Sequence, residues 1–498
     1  MNVHPEPPFE HTYAGLPAHF HAQVAPTAVS APSLIRLNDA LAKDLGLDTD
    51  ALRSRAGIAM LAGNRVPDSA RPLAMAYAGH QFGHFVPQLG DGRAILLGEL
   101  VDSDGVRRDV QLKGAGRTPF SRSGDGRTAL RPAVREYLAS EAMAALGIPT
   151  QRALALLTTG DTVYRERPEP GGLLVRVARS HVRVGTFEYF FYRNDQQAVH
   201  TLADYVIDRH YPHLHDSDRP YRDLLDAVIG RTAGLVAAWM HVGFIHGVMN
   251  TDNVAISGET IDYGPFGFID TYDPATVYSA IDVGGRYAFD QQPGIAHWNL
   301  TRFAQTLVPL LDSDGDRAVE IAQHSLEAFG PQINAEWQAG LVRKLGLTGQ
   351  QEGDAELALD LLTGMADQQA DFTRVFRCLS ALPDDPASDG GRADAVVRVL
   401  FNEPAAFDAW AKRWRQRLAK EQRPQAERIA AMRATNPAYI LRNHLAQRAV
   451  DAAADGNFSV MEELMTVLAS PFEDHPGYEH YARPPQPEEK VTRTFCGT

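Results

Sequence analysis

Hydrophobic periodicity changes character once along this chain, and that change constrains the fold more than any other feature. Up to about residue 185, apolar residues fall in short β-branched or aliphatic runs separated by loops. From about residue 195 onward they recur every three to four residues, in stretches broken by Gly and Pro. An α+β protein of two lobes is expected: 1–185 mixed α/β, and 186–498 mainly helical. In the first lobe, Ala94 to Leu100 and Asp109 to Lys113, joined by Asp102-Ser103-Asp104-Gly105, predict a hairpin. A helix is expected from Pro132 to Leu146, where Gly147 and Pro149 stop it, and a further strand over 173–177. In the second lobe, Leu224, Leu225, Val228, Ile229, Leu235, Val236, Trp239 and Met240 predict a helix ending at Gly243. Helical spacing resumes over 298–311 and near 355–380, 392–416 and 425–450, with 382–391 read as a surface loop. Arg483-Pro484-Pro485-Gln486-Pro487 cannot continue a helix and is expected to leave Cys496 on a mobile end.

The predicted 224–240 helix delivers the chain into His246-Gly247-Val248-Met249-Asn250-Thr251-Asp252-Asn253, followed nine residues later by Asp262-Tyr263-Gly264. This has the outline of a kinase catalytic loop and metal turn, in which an Asn and an Asp hold the magnesium that neutralises nucleotide phosphates. Asn253 and Asp262 are hard oxygen donors suited to that ion. The usual proton acceptor, two residues after the His, is replaced by Val248. Asp252 is the only carboxylate left in the loop, and with a reference pKa near ~3.9 it would take a proton late, as the new bond forms. His246 is assigned to packing and hydrogen bonding within the loop. Asp312-Ser313-Asp314-Gly315-Asp316 lacks the Gly and terminal Glu of a calcium loop and is read as a helix cap.

Gly90-Asp91-Gly92-Arg93 precedes the first hairpin strand, either as a plain β-turn or as backbone able to approach phosphate oxygens. The phosphate reading gains from Lys113 at the end of the next strand and from Glu136, twenty-three residues on, which can pair with its ammonium. Glu141 is one and a half turns further along and should face elsewhere. Between Lys113 and Glu136 lies a loop dense in Gly and Arg, and Arg176 and Arg183 add two more cations. Each of these two is a structural ion pair or a phosphate ligand on this reading. Net charge is -14, so nucleic-acid binding is not expected and any anion site must be local. Two Cys in 498 residues point to a reducing compartment. Met1 to Pro8 shows no signal-peptide pattern, and no apolar run approaches the ~18 residues that span a bilayer. A cytoplasmic protein without membrane partners is expected.

The Gly-Asp-Gly-Arg turn, Val110-Gln111-Leu112-Lys113-Gly114-Ala115-Gly116, the His246 to Asn253 loop, Ile261-Asp262-Tyr263-Gly264-Pro265 and Gly285-Arg286-Tyr287-Ala288-Phe289 together resemble the selenoprotein O family, also called YdiU. The similarity runs over nearly the whole chain. It implies a protein-kinase-like bilobal fold that binds ATP flipped relative to ordinary kinases and moves AMP to Ser, Thr or Tyr hydroxyls of proteins, itself included. By motif, Lys113 would contact the phosphates and Glu136 would hold it. Gly90, Gly92, Arg93, Asp125, Gly126, Arg176 and Arg183 would line the nucleotide site. Asn253 and Asp262 would bind Mg2+ or Mn2+, and Asp252 would accept the proton. Where some relatives carry a Cys able to pair with the C-terminal one, this chain has Tyr278, which argues against that redox switch. Two rivals stand: a phosphoryl-transferring kinase with Asp252 displaced along the loop, and a non-catalytic nucleotide-binding pseudokinase, suggested by Val248.

Overall fold

The computed structural model describes residues 6–495. An antiparallel sheet is built from the first 178 residues, in the order His21–Gln23, Leu73–Met75, Ala94–Val101, Arg107–Lys113, Pro168–Ala178, Arg152–Tyr164 and Ser33–Leu37. Thr128–Ala129 pairs with the Pro168–Ala178 strand off this path. The predicted hairpin is present, with Ala94 opposite Lys113.

Side-chain alternation gives the two faces different work. Val110, Leu112, Val175 and Val177 point into one apolar core, shared with Leu41, Leu52, Met60 and Leu61. Those last four come from the short helices Asp39–Asp44, Thr49–Arg53 and Arg55–Leu61. The periodicity did not announce them, because five to seven residues are too few to repeat a 3.6-residue pattern. The other face carries Gln111, Lys113, Leu174 and Arg176 and is covered by the Leu130–Ala145 helix, whose Leu130, Val134 and Leu138 are fully buried.

The helical half begins with Val184–Phe191, and Pro220–His241 then leads into a two-residue strand, Phe244–Ile245, paired with Gly267–Phe268. The larger apolar core runs from Tyr13 to Tyr481 across residue 185. Each of the three long amphipathic stretches expected after residue 355 is two helices. They are Asp354–Asp367 and Phe372–Leu379, Arg392–Arg398 and Pro404–Leu418, and Gln425–Thr435 and Asn443–Ala454. The breaks fall at Gln369, in the left-handed region with φ 53°, at Pro404, and at Asn436-Pro437, where proline cannot continue the preceding hydrogen bonds. Asp314 caps the Gly315–Glu327 helix, accepting from the Asp316 and Arg317 amides, as read from its sequence. No helix among the described residues is long and apolar enough to cross a membrane.

The chain is held to the body of the protein as far as Thr494. The Thr494 amide donates to Tyr278 O at 2.7 Å, the Ala280 amide to Thr494 O at 2.9 Å, and Thr494 Oγ1 to Pro265 O at 2.7 Å. Thr494 thereby adds a short parallel pairing beside Ser279, which the Pro-rich segment before it does not prevent. Cys496 lies outside the described residues.

Lys344 closes the helix that feeds the site. Its ammonium donates to His241 O at 2.9 Å and lies 4.2 Å above the Phe376 ring. Burial pushes its pKa down to about 7. Unfolded lysine titrates near ~10.4, so between those values the native state binds fewer protons and stability must rise with pH. Lys344→Met is therefore expected to flatten the rise in urea midpoint between about pH 7 and pH 10. An unchanged slope would show that this amine stays charged in the fold.

Candidate active site

The polar side chains on the helix-facing side of the sheet converge on one carboxylate. Lys113 lies on one strand and Arg176 on its neighbour, opposite Gln111, so alternation brings both to the same face. Glu136, fully buried on the covering helix, accepts from the Lys113 ammonium on Oε2. Its Oε1 accepts from Arg176 Nε at 2.5 Å and Gln151 Nε2 at 2.7 Å. Arg176 also reaches Gln111 Oε1 at 3.3 Å. Both oxygens of a buried carboxylate are thus satisfied, which the low-dielectric setting requires. Burial raises the Glu136 pKa, but Arg176 and Lys113 overcome it and hold the group ionised. Burial, with Arg176 beside it, pulls the Lys113 pKa below the usual lysine value. Glu141 faces elsewhere, as expected, and binds Arg152 and Asn38.

Asp262 lies across the cleft from this group. Arg176 Nη2 donates to its Oδ1 at 2.9 Å and Lys113 Nζ at 3.4 Å, while the side chain stays 40% exposed. Burial would raise its pKa, but Lys113, Arg176, Arg93 and Arg183 outweigh that and hold it far below the carboxylate range. Its backbone is left-handed at φ 59°, a conformation that Asp tolerates better than most residues. The turn is held by His246, whose Nε2 is 3.0 Å from Ile261 O and whose ring packs on Trp239. The structural role assigned to this histidine is what the geometry displays.

Asp252 sits in a single 3-10 turn, Thr251–Asn253. Arg183 holds the loop from the sheet side, donating to Asp252 O at 3.2 Å while its guanidinium covers the Tyr77 ring at 4.1 Å. Its pairing with Asp91 is looser, at 3.9 Å. Burial pushes the Asp252 carboxyl up to about 7, against the lowering effect of Gln81 and Arg183, making it a stronger base than its reference value suggests. Asn253 Nδ2 donates to Val248 O at 3.0 Å, so its side-chain oxygen is the end that could coordinate a cation.

These groups open onto a cavity of about 400 Å³, large enough for a nucleotide. It brings together Gly90, Gly92, Arg93, Lys113, Asp125, Gly126, Arg176, Arg183, Asp252 and Asp262 from the sequence reading. Glu136 lies behind Lys113 and Asn253 ends the loop; neither is part of the wall. Asp91, within the Gly-Asp-Gly turn, is a buried peg that accepts from the Met75 amide and from Gln111. Asp125 is exposed and bound by Arg165. At Gly126, with φ 70°, any Cβ would fall 2.1 Å from Gly116 O, so two loops meet there only because it is glycine. Phe120, Arg122 and Arg127, from the loop dense in Gly and Arg, also line the wall, as do Tyr77, Gln81 and Arg165, which were not singled out from sequence. The Gly-flanked polar run Gly79-His80-Gln81-Phe82-Gly83 is the one signal that could have drawn attention to Gln81. In all, seven basic side chains face four carboxylates in this wall, a local positive balance inside an acidic protein. Such a wall can bind a polyanion, and the Asp252 carboxylate in it can take a proton.

A family model described as Protein adenylyltransferase SelO matches residues 6–469. The chain is 61% identical over 500 residues to a Protein nucleotidyltransferase YdiU of Alkalilimnicola ehrlichii, with 100% of each chain covered. It is 59% identical over 492 residues to one of Rhodopseudomonas palustris, covering 99% of each. A Rhizobium johnstonii relative with the same description is 56% identical over 492 residues, 99% of this chain and 97% of its own.

Proposed function

The chain belongs to the protein adenylyltransferase SelO family, and from that premise we propose that it transfers AMP from ATP to Ser, Thr or Tyr hydroxyls of proteins and releases pyrophosphate. The observation that carries this reading is the crowding of Lys113, Arg93, Arg176 and Arg183 around Asp262 at the inner wall of a cavity that also contains Asp252. So many fixed cations exceed what a single terminal phosphate needs. They suit a nucleotide whose outer phosphates lie inward and whose α-phosphorus is left for the acceptor. The Lys113–Glu136 pair, the Asp262 turn and the Asp252 loop support a kinase-like arrangement of two lobes around this cleft.

In the proposed step the acceptor oxygen attacks the α-phosphorus in line, and the bond from that phosphorus to the β-phosphate bridge breaks. Asp252 receives the hydroxyl proton. Lys113, Arg176 and Arg183 hold the pyrophosphate charge that develops opposite, and since they are already fixed by Glu136, Asp262 and backbone carbonyls they need little reorganisation. Mg2+ or Mn2+ is assigned to the Asp262 carboxylate and the Asn253 side-chain oxygen on the chemistry of the donors, hard oxygens of the kind these ions take alongside phosphate and water. When bound, that ion would neutralise phosphate charge.

Incubation with ATP labelled at the α-phosphate is expected to label the protein itself or an added protein acceptor, and label at the γ-phosphate is expected to leave with pyrophosphate. Transfer of γ-label would replace this reading with phosphoryl transfer. Metal-dependent ATP binding without either label on protein would replace it with a nucleotide-binding scaffold.

A further inference from the structure

The hairpin Gly79–Gln81 and His84–Val86 stands apart from the main sheet and lies across the Asp252 loop. Three contacts fasten it there, and a fourth ties two of its partners together. The His80 amide donates to Thr251 Oγ1 at 2.7 Å, and His80 Nδ1 is 2.6 Å from Glu188 Oε1. Thr251 Oγ1 donates in turn to Glu188 Oε2 at 2.5 Å. At the hairpin tip, the Phe82 amide donates to Asn250 Oδ1 at 3.1 Å. Both residues preceding Asp252 are therefore gripped by a hairpin that precedes them by about 170 positions in the chain.

Such a grip leaves the Asp252 side chain in a defined place. Gly79 lies against it so closely that a Cβ there would be 2.5 Å from Oδ1. Gln81 Nε2 lies 3.1 Å from Oδ2, and both side chains are in the cavity wall. An ionised carboxylate only accepts, so the Gln81 amide must present its NH2 group to it. Oδ1 is buried and has no hydrogen-bond partner among the described residues. Oδ1 is thus enclosed beside Gly79, and Oδ2, which accepts from the neutral Gln81 donor, is the oxygen with a remaining lone pair on the cavity side.

We infer that Gln81 is a positioning residue for transfer: by donating to Oδ2 it fixes the rotation of the Asp252 carboxylate, with Oδ1 seated against Gly79, so that the remaining lone pair of Oδ2 meets the acceptor hydroxyl. Without it the carboxylate is free about a torsion whose preferences are broad, and fewer encounters place an oxygen in line with the proton. This inference rests on the assignment of Asp252 as proton acceptor. Gln81 does not touch the cations that hold the phosphates, so its loss should act on turnover and not on nucleotide capture.

Gln81→Ala is expected to lower kcat for transfer from α-labelled ATP by about tenfold, the scale of one hydrogen bond to a charged group, with KM for ATP within about twofold. Gln81→Glu, of the same shape but without the donor, should fall at least as far. Thermal melting and binding of a non-hydrolysable ATP analogue, measured on both variants, separate this from misfolding. In the Asp252→Ala background, Gln81→Ala should cost nothing further, because a residue acting only through that carboxylate has nothing left to act on. Normal kcat in both single variants, or a full additional loss in the double variant, would overturn the inference while leaving AMP transfer intact. Full transfer by Asp252→Ala alone would instead remove the base assignment and this inference with it.

Discussion

Asp262→Ala is expected to lower transfer from α-labelled ATP by about a thousandfold, the largest effect of any single substitution in the cleft. Asp262 is the one carboxylate that both Lys113 and Arg176 reach across the cavity, and those cations hold it ionised. It is also the only anionic donor of the proposed metal site. On the proposed reading, removing it would withdraw the metal and loosen Lys113 and Arg176 together. The fold should survive, because Arg176 and Lys113 keep Glu136 as a partner. Asp262→Asn is the informative companion, since asparagine also tolerates the left-handed backbone at φ 59° but lacks the charge. Loss of activity in both variants with unchanged melting assigns the effect to charge. Retention of a tenth of the wild-type rate by Asp262→Ala would refute the metal assignment.

Lys113→Ala should follow closely, with a loss of about a hundredfold to a thousandfold in kcat/KM for ATP. The ammonium is buried, paired to Glu136 and 3.4 Å from Asp262, so it can add charge to the phosphates without being ordered on binding. Its removal leaves Glu136 bound to Arg176 and Gln151, and a melting temperature near that of the parent is expected. Lys113→Arg should not restore activity, because a planar guanidinium needs more room than the ammonium and Arg176 already fills the adjoining space on the same face of the sheet. Full activity in Lys113→Arg would show that only positive charge is required there. A normal rate in Lys113→Ala would dismiss the phosphate-binding role of this strand.

Much of this site was legible because its residues obey local rules. Lys113 closes a strand of alternating faces and Glu136 follows on a helix whose apolar stripe is plain, so their meeting follows from the packing of a helix on a sheet. Glu141 could be set aside by helical angle alone, and it does bind Arg152 instead. Spacing along one loop and turn singled out Asn253 and Asp262, of which the structure brings Asp262 into the cavity wall and leaves Asn253 outside it. The long helical stretches were less faithfully read, because an amphipathic pattern continues through a break when both pieces face the same core, as at Gln369 and at Asn436-Pro437. The dual part of Arg176, as both structural partner of Glu136 and ligand-facing cation, was left between two readings by sequence. The geometry shows the structural pairing, with Glu136 and Asp262, in a guanidinium that also lines the cavity.

What the amino-acid order determined by itself is what neighbours in sequence can specify: alternating strands, a helix with one apolar face, a glycine turn, and donors a few positions apart on one loop. What only the tertiary structure decided are the contacts that cross long separations. These are the Gln81 amide on Asp252, the His80–Glu188–Thr251 chain, the docking of Thr494 beside Tyr278, and the raised basicity of a buried Asp252. The reason is physical. Periodicity records which face of an element avoids water, whereas a hydrogen bond between distant polar side chains has no period. Its strength also depends on the low dielectric that exists only after the surrounding chain has closed over it.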